Sequence, residues 1–338
     1  MGEIIPGMSR LCLYYRPEPE RDRWVPGDRW VRPIARRIIR GKPRAGGVEK
    51  VFLNLCLGLD LLGIRYQVNL PFRKLQPTDR VAVLGCGRHS LDGYNQPNPV
   101  VAGIGLMTHP SEWPTLCKDY PVVRYLQHSA WCDAIYRPYF GERCAIWPVG
   151  IDTDRWSPTA FNTKTIDFLI YDKIHWDREA RETELFTPIR AILAQVGCTH
   201  EILRYGAYDP KAFQAALGRC RAMIFLSPHE SQGIAAQEAL ASGVPLLAWN
   251  PGFLEDPNRF HWGQTIIPAT SVPYFDARCG LTFRDASEFS LQLPAFLAAQ
   301  RAGRFAPRDY ILENLTLEKC AGHFLELMNF SKKSAPLD

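Results

Sequence analysis

Short apolar runs alternate along the chain with longer stretches whose apolar residues recur every three or four positions, and the alternation appears in two successive series. In the first, RLCLYY (10–15), RYQVNL (65–70), RVAVLG (80–85) and PVVAGIGL (99–106) have the length and bounding turn formers of buried strands. GGVEKVFLNLCLGLDLLG (46–63) carries Val48, Val51, Phe52, Leu55 and Leu59 on one face and predicts a helix; another is predicted over 129–140. The second series holds DFLIY (167–171), EILRY (201–205), AMIFL (222–226), VPLLAW (244–249) and GLTF (280–283). Helical segments separate these strands, one of them over 234–242, and a helix over 308–330 closes the chain. Two βα arrays in succession predict two parallel, doubly wound α/β domains. The turn formers of WPVGIDTDRWSP (147–158) mark the joint between them.

The 338 residues suit this division, since a single core seldom grows past about 250–300 residues. With 46% hydrophobic and 22% charged residues the composition is that of a soluble globular protein. No apolar run reaches the roughly 18 residues of a membrane span. The first fifteen residues place charges at Glu3 and Arg10 and lack a long apolar centre, which argues against a secretory signal. Ten cysteines are scattered singly, a pattern read as reduced cytosolic thiols and not as staples or a zinc site. The net charge of +5 is unevenly spread: RWVRPIARRIIRGKPR (29–44) holds seven Lys or Arg with Trp30, Ile34, Ile38 and Ile39 between them. One reading is a solvated basic loop. The other is a patch for substrate phosphates or an anionic membrane surface, where each basic residue is worth about 1 kcal/mol. No nucleic-acid module accompanies the run, so a nucleic-acid partner is not expected.

The densest chemistry lies in SPHESQGIAAQEALASGVPLLAWNPG (227–252). Open parallel sheets bind ligands beyond the carboxyl ends of their strands, where helix N-termini present free amides. Here the strand ends at Leu226, a loop follows, and the helix begins near Ile234 with small residues that allow close packing. Amides of Ser231, Gln232 and Gly233 would then face an anion, Gly233 permitting close backbone approach. Glu230 in the loop and Glu238 one turn into the helix cannot hold phosphate, but carboxylates accept hydrogen bonds from hydroxyls, which sugars supply.

This stretch resembles the paired-glutamate signature of the retaining family 4 glycosyltransferases. The resemblance extends along the chain: GGVEK (46–50) is similar to the family's Gly-rich loop, WPVGIDTDRWSP to its interdomain connector, and DFLIYDKIHWDRE (167–179) to its basic phosphate loop. The fold it implies is GT-B, two facing Rossmann-like domains with an interdomain cleft. In this chain they would be an acceptor domain over 1–155 and a nucleotide-sugar domain over 156–307, with a helix at 308–338 returning toward the first. Two departures stand out. Lys173 and Arg178 occupy positions where the family has Arg and then Lys, which keeps the charge but moves the bidentate group to the second place. Glu-Gly-Phe-Gly is replaced by Glu230-Ser231-Gln232-Gly233, without the first glycine and the aromatic.

The resemblance implies roles. Lys173, Arg178 and the helix-start amides from Ser231 to Ile234 would neutralise the departing diphosphate, with Gly46 and Gly47 adding amides from the other domain. Glu230 would hold the transferred sugar and Glu238 the ribose. His109, in MTHPSEW (107–113), resembles the family's histidine near that sugar; the alternative is a hydrogen-bonded loop histidine. No metal and no other cofactor is expected. Asp152-Thr153-Asp154 copies a metal-binding Asp-X-Asp of another glycosyltransferase fold, but falls in the connector. VAVLGCGRHS (81–90) is similar to the Gly-X-Gly turn of methyltransferases, yet Val83 stands where those carry an acid. The implied function is retaining transfer of a hexose-type sugar from a UDP- or GDP-linked donor. The acceptor would be a glycan or lipid-linked glycan, in polysaccharide or glycolipid biosynthesis at the cytoplasmic face of a membrane. The alternatives are a nucleotide-sugar binding module without transfer, and a nucleotide-sugar epimerase of the same fold.

Overall fold

The computed structural model describes residues 9–17, 46–158 and 164–329, so the basic run 29–44 lies outside the described residues. The chain divides into two compact units, one of Met1–Gln127, Tyr136–Ala145 and Gly322–Asp338, the other of His128–Ile135 and Ile146–Ala321. No helix among the described residues is long and apolar enough to cross a membrane. All ten cysteines are free thiols.

The first sheet is built from β1 (Leu11–Tyr14), β2 (Tyr66–Val68), β3 (Arg80–Val83), β4 (Val100–Gly103), β5 (Val122–Gln127) and β6 (Cys144–Ile146), in the order β2-β1-β3-β4-β5-β6. Pairing from β2 through β5 is parallel. Cover on both faces explains why Val81 to Val83 and Val100 to Ala102 are fully buried. The predicted strands at 10–15, 65–70, 80–85 and 99–106 are all present, each somewhat shorter. Two were missed: β5, where Arg124 and Gln127 interrupt the apolar pattern, and β6, only three residues long. Helix α1 (Gly47–Leu61) buries Val51, Phe52, Leu55 and Leu59, the face its spacing predicts. A short α2 (Leu116–Asp119) and α3 (Ala130–Phe140) follow.

The second sheet has β7 (Ile166–Asp172), β8 (His200–Arg204), β9 (Cys220–Leu226), β10 (Leu246–Trp249) and β11 (Gly280–Phe283), ordered β11-β10-β9-β7-β8 and parallel throughout. Alternation sends its residues to two cores. Leu169, Tyr171, Met223, Phe225, Leu246 and Ala248 face one layer, which includes α6 (Pro210–Arg219), α7 (Ile234–Ala241) and α9 (Pro307–Asn314). Phe168, Ile170, Ile224, Leu247 and Trp249 face the other. That layer includes α5 (Thr187–Gln195), reached from α4 (Arg178–Arg181) through one π turn at Glu182–Phe186, and α8 (Ala286–Arg301).

The closing helix predicted over 308–330 is broken: α9 ends at Asn314 and α10 spans Leu317–Leu327. The cause is Thr316, which bridges Ile151 in a parallel β-bridge while the Ile151 amide donates to the Leu315 carbonyl at 2.8 Å. An extended segment intrudes where a continuous helix would need its own hydrogen bonds.

Candidate functional site

In the second sheet β7 lies between β8 and β9, so the strand order reverses at the β7/β9 boundary while all strands stay parallel. That reversal opens the crevice in which parallel sheets hold ligands. The residues after β7 and β9 are those the sequence singles out.

Lys173 follows β7 directly and Glu230 sits in the loop after β9. The Lys173 Nζ donates to Glu230 Oε1 at 2.6 Å, across 57 positions of sequence. Ser227 Oγ donates to the same oxygen at 2.8 Å. The backbone of Glu230 is fixed on both sides: its amide donates to the Thr270 carbonyl at 2.9 Å, and its carbonyl accepts from Trp131 Nε1 at 3.0 Å. A carboxylate held by one ammonium and one hydroxyl keeps lone pairs for further hydroxyl donors.

Arg178, the first residue of α4, donates from one terminal nitrogen to Asp172 Oδ1 at 2.5 Å and from the other to Glu182 Oε2 at 3.0 Å. The hydrogen bond to Asp172 raises the Arg178 pKa further above its ordinary value. Asp172, the buried last residue of β7, was not anticipated; it stands directly before Lys173, and Arg204 at the end of β8 approaches it at 3.9 Å. Its position at the polar end of an apolar run was the available signal.

Gly233 precedes α7 with φ +78°, a left-handed conformation that favours glycine, and so lets the loop turn into the helix. Ser231 is exposed and Ile234 half-buried at that helix start, where the first amides of a helix have no partner within it. Glu238 lies deeper in α7, 4% exposed. The Gln232 side chain turns away from the loop surface and bonds to the Val149 backbone.

Around this core lies a ring of aromatic residues absent from the sequence reading. Trp176 stacks on His229 at 5.2 Å and 17°, Trp131 meets the same imidazole edge-on, and Lys173 sits over the Tyr205 ring at 4.9 Å. Burial pushes the His229 pKa down to about 4, so the ring is neutral, and its Nδ1 accepts the Glu255 amide at 3.3 Å. His175 is also lowered, by desolvation and then by the Lys173 charge. Glu255 is buried against Arg181, which donates to it at 2.8 Å.

Gly46, Gly47 and His109 belong to the first unit. Gly46 caps α1 and Gly47 opens it. His109 is 1% exposed; its Nδ1 accepts the Ser111 amide at 3.2 Å and caps the turn Pro110–Glu112, and burial lowers its pKa. Asp152 likewise closes a turn, accepting the Arg155 amide at 3.0 Å.

Two parallel α/β units of this topology define the GT-B fold, and comparison with solved structures gives the same class. TarM superposes with a TM-score of 0.54 at 11% identity over 83% of this chain, which spans 58% of TarM's length. WaaG, described as a glycosyltransferase involved in lipopolysaccharide biosynthesis, gives 0.53 at 11% identity, covering 95% of this chain and 100% of WaaG. The α,α-trehalose 6-phosphate synthase of Burkholderia multivorans gives 0.55 at 11% identity, covering 95% and 96%. At these identities the likeness is one of fold. In sequence, no family model and no curated protein matches the chain.

Proposed function

We propose that the second unit binds a nucleotide-diphosphate sugar, UDP- or GDP-linked, and that the protein transfers its hexose-type sugar, with retained configuration, to a glycan or lipid-linked glycan. The observation that carries this reading is the Glu230 carboxylate, held by Lys173 at 2.6 Å just ahead of the α7 N-terminus and at the β7/β9 reversal. Charge builds on the leaving diphosphate as the sugar bond breaks, and preorganised cations and amides stabilise it best. Lys173, the remaining N–H groups of Arg178, and the amides of Ser231, Gly233 and Ile234 supply these, which makes the chemistry independent of a metal. Glu230 accepts sugar hydroxyls and faces the positive character that the ring gains; Glu238 takes the ribose. His109, Gly46 and Gly47 enter this reading through the sequence resemblance alone.

Location at a membrane surface is part of the proposal. Residues 29–44 supply the charge, and Leu53, Leu57 and Leu61, 46%, 44% and 59% exposed at four-residue steps along α1, supply an apolar stripe in the helix that follows that run.

One observation supports a second reading, a donor-binding module without transfer: carboxylates already engage both cations, Lys173 by Glu230 and Arg178 by Asp172 and Glu182. A thermal-shift panel of UDP, GDP and their sugars tests donor binding. A ligand at about 100 times its Kd stabilises by about 2.7 kcal/mol, and absence of any shift contradicts the proposal. Donor hydrolysis without acceptor then separates an enzyme from a binding module.

A further inference from the structure

Between Glu230 and α7 the loop turns inward at Gln232, 3% exposed. Its Oε1 accepts the Val149 amide at 3.0 Å, and its Nε2 donates back to the Val149 carbonyl at 3.2 Å. One side-chain amide thus pairs with both polar groups of a single residue, as a neighbouring strand would. Its Nε2 also donates to Gln237 Oε1 at 2.9 Å, and Gln237 Nε2 donates to the Gln232 carbonyl at 2.8 Å. All four bonds are buried, and Gln237 is 2% exposed.

Val149 is firmly seated. Two residues before it, Trp147 Nε1 donates to the Cys320 carbonyl at 2.9 Å; two residues after, the Ile151 amide donates to the Leu315 carbonyl at 2.8 Å. Between them the backbone of Gly150 lies so close to α10 that a Cβ there would stand 2.5 Å from Leu317 Cα. The segment 147–151 is therefore a fixed edge, and Gln232 is what fastens the Glu230 loop to it.

We infer that Gln232 is a positioning residue, which sets the loop 227–233 on the segment 147–151 and thereby places Glu230 and the amides of Ser231 and Gly233. An aromatic side chain at this place would pack by area and allow small slips. An amide pair is directional, and removing it strands the buried polar groups of Val149. The consequence for ligand affinity rests on the donor-site reading; the clamp itself does not.

The test is hydrogen exchange on the full chain, comparing wild type, Gln232→Met and Gln232→Glu, with UDP and GDP titrated in parallel. Gln232→Met keeps shape and removes all three side-chain bonds; protection at Val149 and over 227–233 falls by about tenfold, as one lost hydrogen bond warrants, while the rest of the unit is unchanged. Gln232→Glu gains a pH dependence that wild type lacks. Protonated, the carboxyl accepts from the Val149 amide and donates to its carbonyl, so protection is near wild type. Ionised, it faces two acceptors, so protection falls as pH rises, with a midpoint above the ordinary carboxylate range because burial disfavours the charge. Affinity for whichever nucleotide binds wild type follows the same pattern. Wild-type protection at Val149 in both variants, a pH-independent Gln232→Glu, or equal loss of protection throughout the unit would overturn the clamp. Equal nucleotide affinity in all three proteins would overturn its role in placing the site. If wild type binds neither nucleotide while Val149 follows this course, the donor reading fails and the clamp stands.

Discussion

The two sheets repeat one plan, each with its first strand between its second and third; exposed pairs such as Arg219–Glu201 stand at the amino ends in the second sheet too, but the most buried pairs stand at different strand ends in the two. In the first unit Arg10 and Asp79 stand just before β1 and β3, at the amino ends of the strands, joined by two bonds of 2.9 and 2.6 Å with the carboxylate fully buried. At the carboxyl end of β3 the chain fills its own turn: a Cβ on Gly85 would lie 2.2 Å from Ser90 Oγ and 3.0 Å from the Arg16 amide. In the second unit the pairs Lys173–Glu230 and Arg178–Asp172 lie at the carboxyl ends and remain partly open to solvent. All three pairs are largely buried, but only those of the second sheet stand at the carboxyl ends of strands beside a reversal of strand order, where parallel sheets hold ligands, so function has to be argued from the site and not from the fold.

The largest effect tests the Arg10–Asp79 pair. Arg10→Met leaves Asp79 buried without its counter-ion, and about 3 kcal/mol of stability should be lost at neutral pH. Burial works to raise the Asp79 pKa, but the Arg10 hydrogen bonds and charge outweigh it and hold the carboxyl below its ordinary value. The stability contributed by the pair is present above that ordinary value and lost as pH falls through the lowered one. Denaturant midpoints of wild type and variant should therefore converge in acid; a constant gap would mean that charge is not the cause.

Next comes the Lys173–Glu230 pair. Glu230→Gln should lower kcat by about 2 to 3 kcal/mol in barrier terms, since its charge matters most once the sugar ring gains positive character. Stability should change by only about 1 kcal/mol, because the glutamine oxygen still accepts from Lys173 and Ser227. A variant that loses stability but keeps kcat would erase the contrast between the two ends. Smaller is Glu238→Ala, expected to raise the donor KM about tenfold at nearly constant kcat, because ribose contacts are similar in ground and transition states. A fall in kcat alone would place Glu238 at the reacting sugar instead. The smallest effect concerns residues 29–44: reversing Arg36, Arg37 and Arg40 to Glu should weaken binding to anionic vesicles, and the wild-type interaction should fade at high salt. Equal vesicle binding by both proteins would leave the run a solvated loop.

Local pattern made most of this legible. Apolar runs ending in Asp172-Lys173 and in Ser227 showed where two strands stop and polar chemistry begins, and α1 buries the face its spacing predicts. What stayed hidden depends on distant partners. The Gln232 side chain meets Val149 across 83 positions, Trp131 reaches the Glu230 carbonyl across 99, and Arg181 finds Glu255 across 74. No periodicity encodes such meetings, because they follow from which strands the sheet sets side by side. The break at Thr316 escaped for the same reason: its neighbours favour helix, and the interruption comes from Ile151.

In the proposed reaction Glu230 serves transfer on one face of the sugar, with no protein group attacking from the other. NMR of the first-formed product, using whichever nucleotide sugar the panel identifies, reads this directly. The product should keep the anomeric configuration of the donor and form more slowly with Glu230→Gln; an inverted product would rule this chemistry out.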